Sequence, residues 1–231
     1  MSNDVARPNS MRKRVRTANR VIGAILICAA WTRVFVRPRV EGREHLDQDG
    51  PLILAVNHLS FFDIPALAGL ISRYRRDVTF LAMAELFANF LVRKVLLWFG
   101  IIPVYRGTER ATEASNQGVI VLRHGGVVIT FIEGRISRDG KLQRARNGVA
   151  YMALMAGALV IPIALSGTER VKRLGTGPLH WGWGRRYAVV VGPGIRVECN
   201  TNATARDRQA LTDQIMDRIS TQYDRAMALA A

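Results

Sequence analysis

The sequence predicts an α/β fold: a single domain with a mostly parallel, partly mixed central sheet covered by helices. Three observations carry that prediction. Short apolar runs of strand length alternate with longer helix-forming segments along the chain. Two of the runs, 51–56 and 127–132, are apolar enough to be buried strands. Polar residues capable of chemistry fall in loops directly after such runs, where α/β sheets place their functional loops. The chain has 231 residues, 49% hydrophobic and 22% charged, which suits one globular domain with a sizeable core rather than a disordered chain. No internal repeat and no interdomain linker is visible.

The first eleven residues are polar, and a basic stretch, 12–20, precedes the apolar run 21–31. A charged region before an apolar one resembles a signal peptide, but no small-residue cleavage site or mature start follows. The uninterrupted run is 11 residues, and 16 through Val36 with Thr32 and Arg33 counted. A straight spanning helix needs about 17–25 residues. The expected structure is an amphipathic helix lying in the membrane interface, with arginines at headgroup level and Trp31 as an anchor. A spanning or re-entrant anchor and a helix packed on the domain are the alternatives. Residues 1–39 are thus read as a basic, apolar membrane-associating segment and 40–231 as the globular domain.

Val40 opens a strand, and the run 51–56 forms the next. Ile64 to Ile71 reads as a helix. Pro65 fits its first turn, where a missing N–H costs nothing, which sets the N-cap near Phe62 or Asp63. Arg73, Arg75 and Arg76 suit the negative end of that helix. The run 78–82 is a strand. Residues 85–99 are heavily apolar but broken by Arg93 and Lys94, so they form either a buried helix or a second membrane-facing element lining an acyl-chain groove. A short strand, 101–105, ends in Arg106 and Gly107. A polar helix follows from Glu109 to about His124 and is broken by Gly125 and Gly126.

The strand 127–132 leads into the loop Glu133 to Gly140. Asn147 to Gly157 reads as a helix packed through Val149, Met152 and Met155. The strand 159–165 contains Pro162, which lacks a ladder donor and places the strand at an edge or a bulge. Residues 166–186 are rich in glycine and loop-like. A strand at 187–191 turns at Gly192, Pro193 and Gly194. The terminal helix spans about 205–228, with Leu211, Ile215, Ile219, Tyr223 and Met227 as its expected core stripe.

Net charge is +15, and it is uneven. Residues 1–43 hold ten basic and two acidic residues, +8 of the total. Basic residues beside an apolar run fit an anionic membrane surface, each contributing roughly 1 kcal/mol. No aromatic-and-basic stacking platform accompanies them, so no nucleic acid is expected as a partner. Of the 33 basic residues only Lys13, Lys94, Lys141 and Lys172 are lysines, and guanidinium forks match phosphate oxygens. Cys28 and Cys199 are too far apart to suggest a disulfide framework or a zinc site, so no metal is expected.

The candidate site is the turn Asn57-His58-Leu59-Ser60-Phe61-Phe62-Asp63. On one continuous helix His58 and Asp63 would stand about 140° apart and never meet. They meet if His58 lies in the loop and Asp63 starts the helix. Asp63 is then kept ionised by the positive helix end, accepts the His58 Nδ1 hydrogen and leaves Nε2 free as a general base. The plainer alternative is that Asp63 caps the helix and His58 fills a loop.

Four ordered blocks resemble a known family. Asn57 to Asp63 resembles its NHxSxxD box. The stretch 100–107, ending in Arg106 and Gly107, resembles its second block. Phe131-Ile132-Glu133-Gly134-Arg135-Ile136-Ser137 resembles its FPEGTRS block, and the stretch 160–165 around Pro162 resembles its fourth. The family is that of the lysophosphatidic acid and glycerolipid acyltransferases of the PlsC type, and the resemblance covers roughly residues 40–200.

The resemblance implies acyl transfer from an acyl-CoA or acyl-carrier-protein thioester to the free hydroxyl of lysophosphatidic acid, with no further cofactor. It implies His58 and Asp63 as catalytic residues. It implies Arg106 with Gly107, and Arg135 or Arg138, at the acceptor phosphate, and the Gly134 amide as an oxyanion donor. Glu133 is placed with the substrate-binding residues, where it orients those arginines or holds its loop; a structural ion pair is its plainer alternative. The enzyme is expected as a peripheral protein on the cytoplasmic face of the cell membrane. Two departures stand out. Ile132, Arg135 and Ile136 replace proline, threonine and arginine, so the arginine is shifted by one. Met83 and Ala84 precede Glu85 where a basic residue is usual. The open alternatives are a different lyso-lipid acceptor, such as a larger-headgroup lysophospholipid or a lyso-ornithine lipid, and a non-catalytic basic membrane- or nucleic-acid-binding module.

Overall fold

The structure, a computed structural model, describes residues 37–71, 78–84, 88, 90, 93–94, 101–104, 110–171 and 186–231. The expectations for 1–36, for Arg73, Arg75 and Arg76, for most of 85–99, and for Arg106 and Gly107 lie outside these residues. The described elements are β1 (Arg37–Glu41), β2 (Leu52–Val56), α1 (Asp63–Ile71), β3 (Val78–Met83), β4 (Ile102–Val104), α2 (Arg110–Arg123), β5 (Val127–Phe131), α3 (Gly148–Ala156), β6 (Leu159–Ser166), α4 (Thr168–Val171), β7 (Arg186–Val191) and α5 (Ala205–Ala230). Among the described residues no helix is long and apolar enough to cross a membrane.

The strands form one sheet in the order β1-β7-β6-β2-β5-β3-β4. All neighbours pair in parallel except β6 and β7, so β1 and β7 run against the other five strands. The mostly parallel, partly mixed sheet of the sequence reading is therefore present. Side chains alternate across it, as the two-residue period of a strand requires. Leu52, Leu54 and Val56 face the layer that holds α1, while Ile53 and Ala55 face α2, α3 and α5. All five are buried, because β2 is covered on both faces.

Register decides where the site forms. Val56 pairs with Phe131 on one side and Ile163 on the other. The carboxyl ends of β2 and β5 are level, so the loops that begin at Asn57 and Ile132 leave the sheet side by side.

Pro162 does not mark an edge, since β6 lies between β7 and β2. It marks a bulge. Ile163 pairs with Val191, and Gly192 N–H still donates to the Pro162 carbonyl at 2.9 Å, but Val160 then bridges Ile195. Two residues of β6 thus oppose three of the returning chain. The missing proline N–H falls where the ladder slips.

The terminal helix departs from the expected stripe at one end. Ile215 and Ile219 are fully buried, Tyr223 is buried and Leu211 partly so, but Met227 is 43% exposed. A step of four residues turns a helix by about 400°, so a strict four-residue stripe drifts by roughly 40° each time. By Met227 it has left the core, and Ala226 and Ala230 take over. The helix start is fixed by its cap. Thr204 accepts from Asp207 N–H at 3.2 Å and Asp207 accepts from Thr204 N–H at 2.8 Å, a reciprocal cap.

Candidate active site

Asn57 fixes the start of the site turn. Its side-chain amide donates to the Leu165 carbonyl at 3.0 Å and its carbonyl oxygen accepts the Leu165 N–H at 2.7 Å. It thereby clamps the end of β2 to the end of β6, and it is wholly buried. Asn57→Ala strands a buried N–H and a buried carbonyl, and is expected to lower unfolding stability by about 2–4 kcal/mol. A denaturation curve with an unshifted midpoint would contradict that.

α1 begins at Asp63, and Ala66 N–H donates to the Phe62 carbonyl at 3.1 Å, so Phe62 is the N-cap residue. Pro65 is the third helical residue, within the turn whose N–H groups have no helical partner. His58 stays in the loop. Its Nδ1 lies 2.7 Å from Asp63 Oδ2. The same oxygen accepts the N–H of Leu59 at 2.7 Å and of Ser60 at 2.9 Å. Asp63 therefore organises the loop before its helix rather than capping the helix with its side chain. With a carboxylate as its acceptor, Nδ1 is the donor of this pair, and in the neutral ring Nε2 then presents its lone pair on the opposite side. Among the described residues Nε2 has no partner. The ring stacks on Phe131, with centroids 3.7 Å apart and planes 8° from parallel, and only 7% of His58 is exposed.

The loop after β5 closes the site from the other side. Ile132 N–H donates to the Val56 carbonyl at 2.9 Å, and Ser137 N–H to the His58 carbonyl at 2.7 Å. Glu133 is buried, and its Oε1 accepts the His58 backbone N–H at 3.4 Å. Burial pushes its carboxyl up to about 7 and the Asp63 charge adds to that, against the pull of the His58 and Gln143 backbone amides and of Arg135. Near neutral pH the group carries a proton part of the time, so it can donate as well as accept. Its Oε2 has no hydrogen-bond partner among the described residues. Of the two roles expected for Glu133, this geometry supports holding the loop against His58.

Gly134 sits at φ 66°, a conformation that favours glycine, and an added Cβ would lie 2.8 Å from Arg146 Cδ. Its N–H donates to the Phe131 carbonyl at 3.0 Å. The expected oxyanion donor is thus engaged in the turn and does not stand open. Arg135 is exposed, and its guanidinium donates to Gln143 Oε1 at 3.3 Å. Arg138 is exposed on the next turn, where Ser137 Oγ donates to Asp139 at 2.9 Å. Ile136, at the family's arginine position, is buried.

Three contributors were not singled out from the sequence. Phe131 opens the third block, but its stack on the His58 ring has no signal in the sequence. Tyr223, read as core, also donates its hydroxyl hydrogen to the Gly140 carbonyl, tying α5 to the Glu133 loop. Arg146 lies against Gly134, and nothing in its own sequence setting distinguished it from its neighbour Arg144. Among the described residues no group of three or more His, Cys, Asp or Glu side chains is placed to hold a metal ion.

This geometry can be set beside known proteins. A chloroplastic 1-acyl-sn-glycerol-3-phosphate acyltransferase of Arabidopsis thaliana is 28% identical over 156 residues, covering 65% of this chain and 43% of that protein. A 1-acyl-sn-glycerol-3-phosphate acyltransferase of Chlamydomonas reinhardtii is 30% identical over 155 residues, covering 66% of this chain and 45% of that protein. One from Borreliella burgdorferi is 28% identical over 131 residues, covering 56% and 51%. The matched region is thus about half the length of these curated relatives or less. The crystal structure of the 1-acyl-sn-glycerophosphate acyltransferase PlsC from Thermotoga maritima superposes with a TM-score of 0.63 at 19% identity, covering 93% of this chain and 78% of that one, which shows a shared fold. A family model described as Acyltransferase matches residues 37–166, more than half of the chain and the region that holds His58, Asp63 and Glu133. The chain belongs to the acyltransferase family.

Proposed function

We propose that the protein transfers an acyl chain from an acyl-CoA or acyl-carrier-protein thioester to the free hydroxyl of lysophosphatidic acid. The observation that carries this reading is the 2.7 Å contact between His58 Nδ1 and Asp63, which leaves Nε2 as a free base in a chain of this family. The names of the relatives favour a phosphorylated glycerolipid acceptor.

In the proposed reaction Nε2 takes the proton of the acceptor hydroxyl as its oxygen attacks the thioester carbonyl. The carbonyl electron pair moves onto oxygen. When the carbonyl re-forms, the C–S bond breaks, and the thiolate leaves with the proton that His58 held. Asp63 holds the ring and stabilises the imidazolium between these steps. A thiolate is a good leaving group, so the chemistry asks for no serine nucleophile and no cofactor beyond the acyl donor. The +8 charge of residues 1–43, beside an apolar run, supports work at an anionic, cytoplasmic-face membrane surface.

The test is an assay of the full chain with labelled acyl-CoA and acyl-carrier protein against lysophosphatidic acid, larger-headgroup lysophospholipids and a lyso-ornithine lipid. Transfer is expected to be fastest to lysophosphatidic acid. A larger-headgroup preference would replace the acceptor in this reading, and no transfer to any acceptor would overturn it.

A further inference from the structure

We infer that Arg146 supplies the guanidinium that binds the phosphate of the acceptor. This rests on the acyl-transfer reading above and adds a residue to it. The family block places arginine where this chain has Ile136, and Ile136 is only 8% exposed. Arg135, one residue earlier, has its guanidinium on Gln143, and Gln143 in turn donates to Asp139 at 2.9 Å. That guanidinium is engaged by Gln143, and its charge also acts on Glu133.

Arg146 is built differently into the site. Its backbone N–H donates to the Ile132 carbonyl at 2.9 Å, and Ile132 N–H donates to the Val56 carbonyl at 2.9 Å. The residue therefore lies in line with the end of β2 and with the residue just before Glu133. Its side chain then runs across Gly134, where a Cβ would meet Arg146 Cδ at 2.8 Å and Nε at 2.9 Å. The missing side chain at 134 is what lets the arginine stem lie flat on the turn. The neighbouring Glu133 reaches the His58 backbone. The Arg146 side chain thus lies against the residue next to the carboxyl that holds the histidine. It is exposed, and among the described residues its guanidinium has no hydrogen bond or ion pair.

The chemistry of the acceptor asks for this combination. Its hydroxyl must reach a nearly buried Nε2 while its dianionic phosphate stays hydrated at the rim. A planar fork with several N–H donors matches a phosphate monoester, and being exposed it pays no burial cost before the ligand arrives. Only the free end of the side chain would contact the lipid; the stem and backbone set its position.

Arg146→Met tests this, because it keeps the stem on Gly134 and removes the guanidinium. The KM for lysophosphatidic acid is expected to rise at least about tenfold. The KM values for the acyl donor and for a monoacylglycerol, which lacks the phosphate, are expected to change less. Arg146→Lys restores a charge without the fork and should recover part of the loss. An unchanged KM for lysophosphatidic acid in Arg146→Met, or equal rises for both acceptors, would overturn the assignment. Calorimetric titration with sn-glycerol 3-phosphate reads the same subsite without turnover and is expected to weaken in Arg146→Met. A wild-type protein that binds this ligand through Arg146 but transfers no acyl chain would overturn the functional reading and leave the subsite standing. A wild-type protein that transfers normally, with Arg146→Met indistinguishable from it, would overturn the subsite alone.

Discussion

His58→Ala is expected to lower acyl transfer by about 10³-fold, within the range that a positioned general base supplies. The fall should appear in kcat, because in the proposed reaction the ring takes the proton that moves in the transition state. The fold should survive. The two backbone bonds of residue 58, from its N–H to Glu133 and from Ser137 N–H to its carbonyl, do not depend on the side chain. Asp63 would still accept the N–H groups of Leu59 and Ser60. The main packing loss is the stack on Phe131. Circular dichroism and a melting curve would establish that the variant is folded, and a labelled-acyl assay would give the rate. A folded variant with near-normal turnover would remove His58 from the mechanism.

The site pair was legible in the sequence because its geometry is local. Five residues, a proline in a helical first turn and a preceding apolar strand allow His58 to meet Asp63, and the three bonds to Asp63 Oδ2 decide between that contact and a simple cap. The same locality exposed the alternating strands and helices, since each rests on its own run of residues. What stayed hidden depends on partners far along the chain. Asn57 is explained by Leu165, 108 residues away, because only the finished sheet sets β2 beside β6. The family resemblance alone implied the Gly134 amide as an oxyanion donor, and the turn that occupies it is visible only in three dimensions. Pro162 shows the limit from another side. Its missing donor argued for an edge or a bulge, and the strand order that decides between them is a tertiary property. Met227 was misplaced for a simpler reason, that a four-residue repeat outruns the 3.6-residue turn of the helix.

Asp63→Asn separates the charge of the aspartate from its geometry. The amide can sit in two orientations, and the backbone chooses between them. With the amide oxygen in the Oδ2 position it still accepts from Leu59, Ser60 and His58, the three donors that converge there at 2.7–2.9 Å. The NH₂ group then occupies the Oδ1 position, which has no partner among the described residues. The reverse orientation would aim an N–H at two backbone N–H groups. The histidine tautomer should therefore be preserved, and what is lost is the negative charge beside the imidazolium. Transfer is expected to fall by about 10²-fold, as a charged hydrogen bond becomes a neutral one. Asp63→Ala is expected to be worse on both counts. It leaves two backbone amides of the site loop without their acceptor, destabilising the fold by about 2–5 kcal/mol. It also frees the ring to rotate, so its activity should approach that of His58→Ala. The order of rates, wild type above Asp63→Asn above Asp63→Ala, measured with equal folded fractions, is the discriminating result. If Asp63→Asn proves as inactive as Asp63→Ala, the charge alone carries the effect and orientation contributes little. If it proves as active as wild type, the aspartate serves the loop and His58 needs no counter-charge.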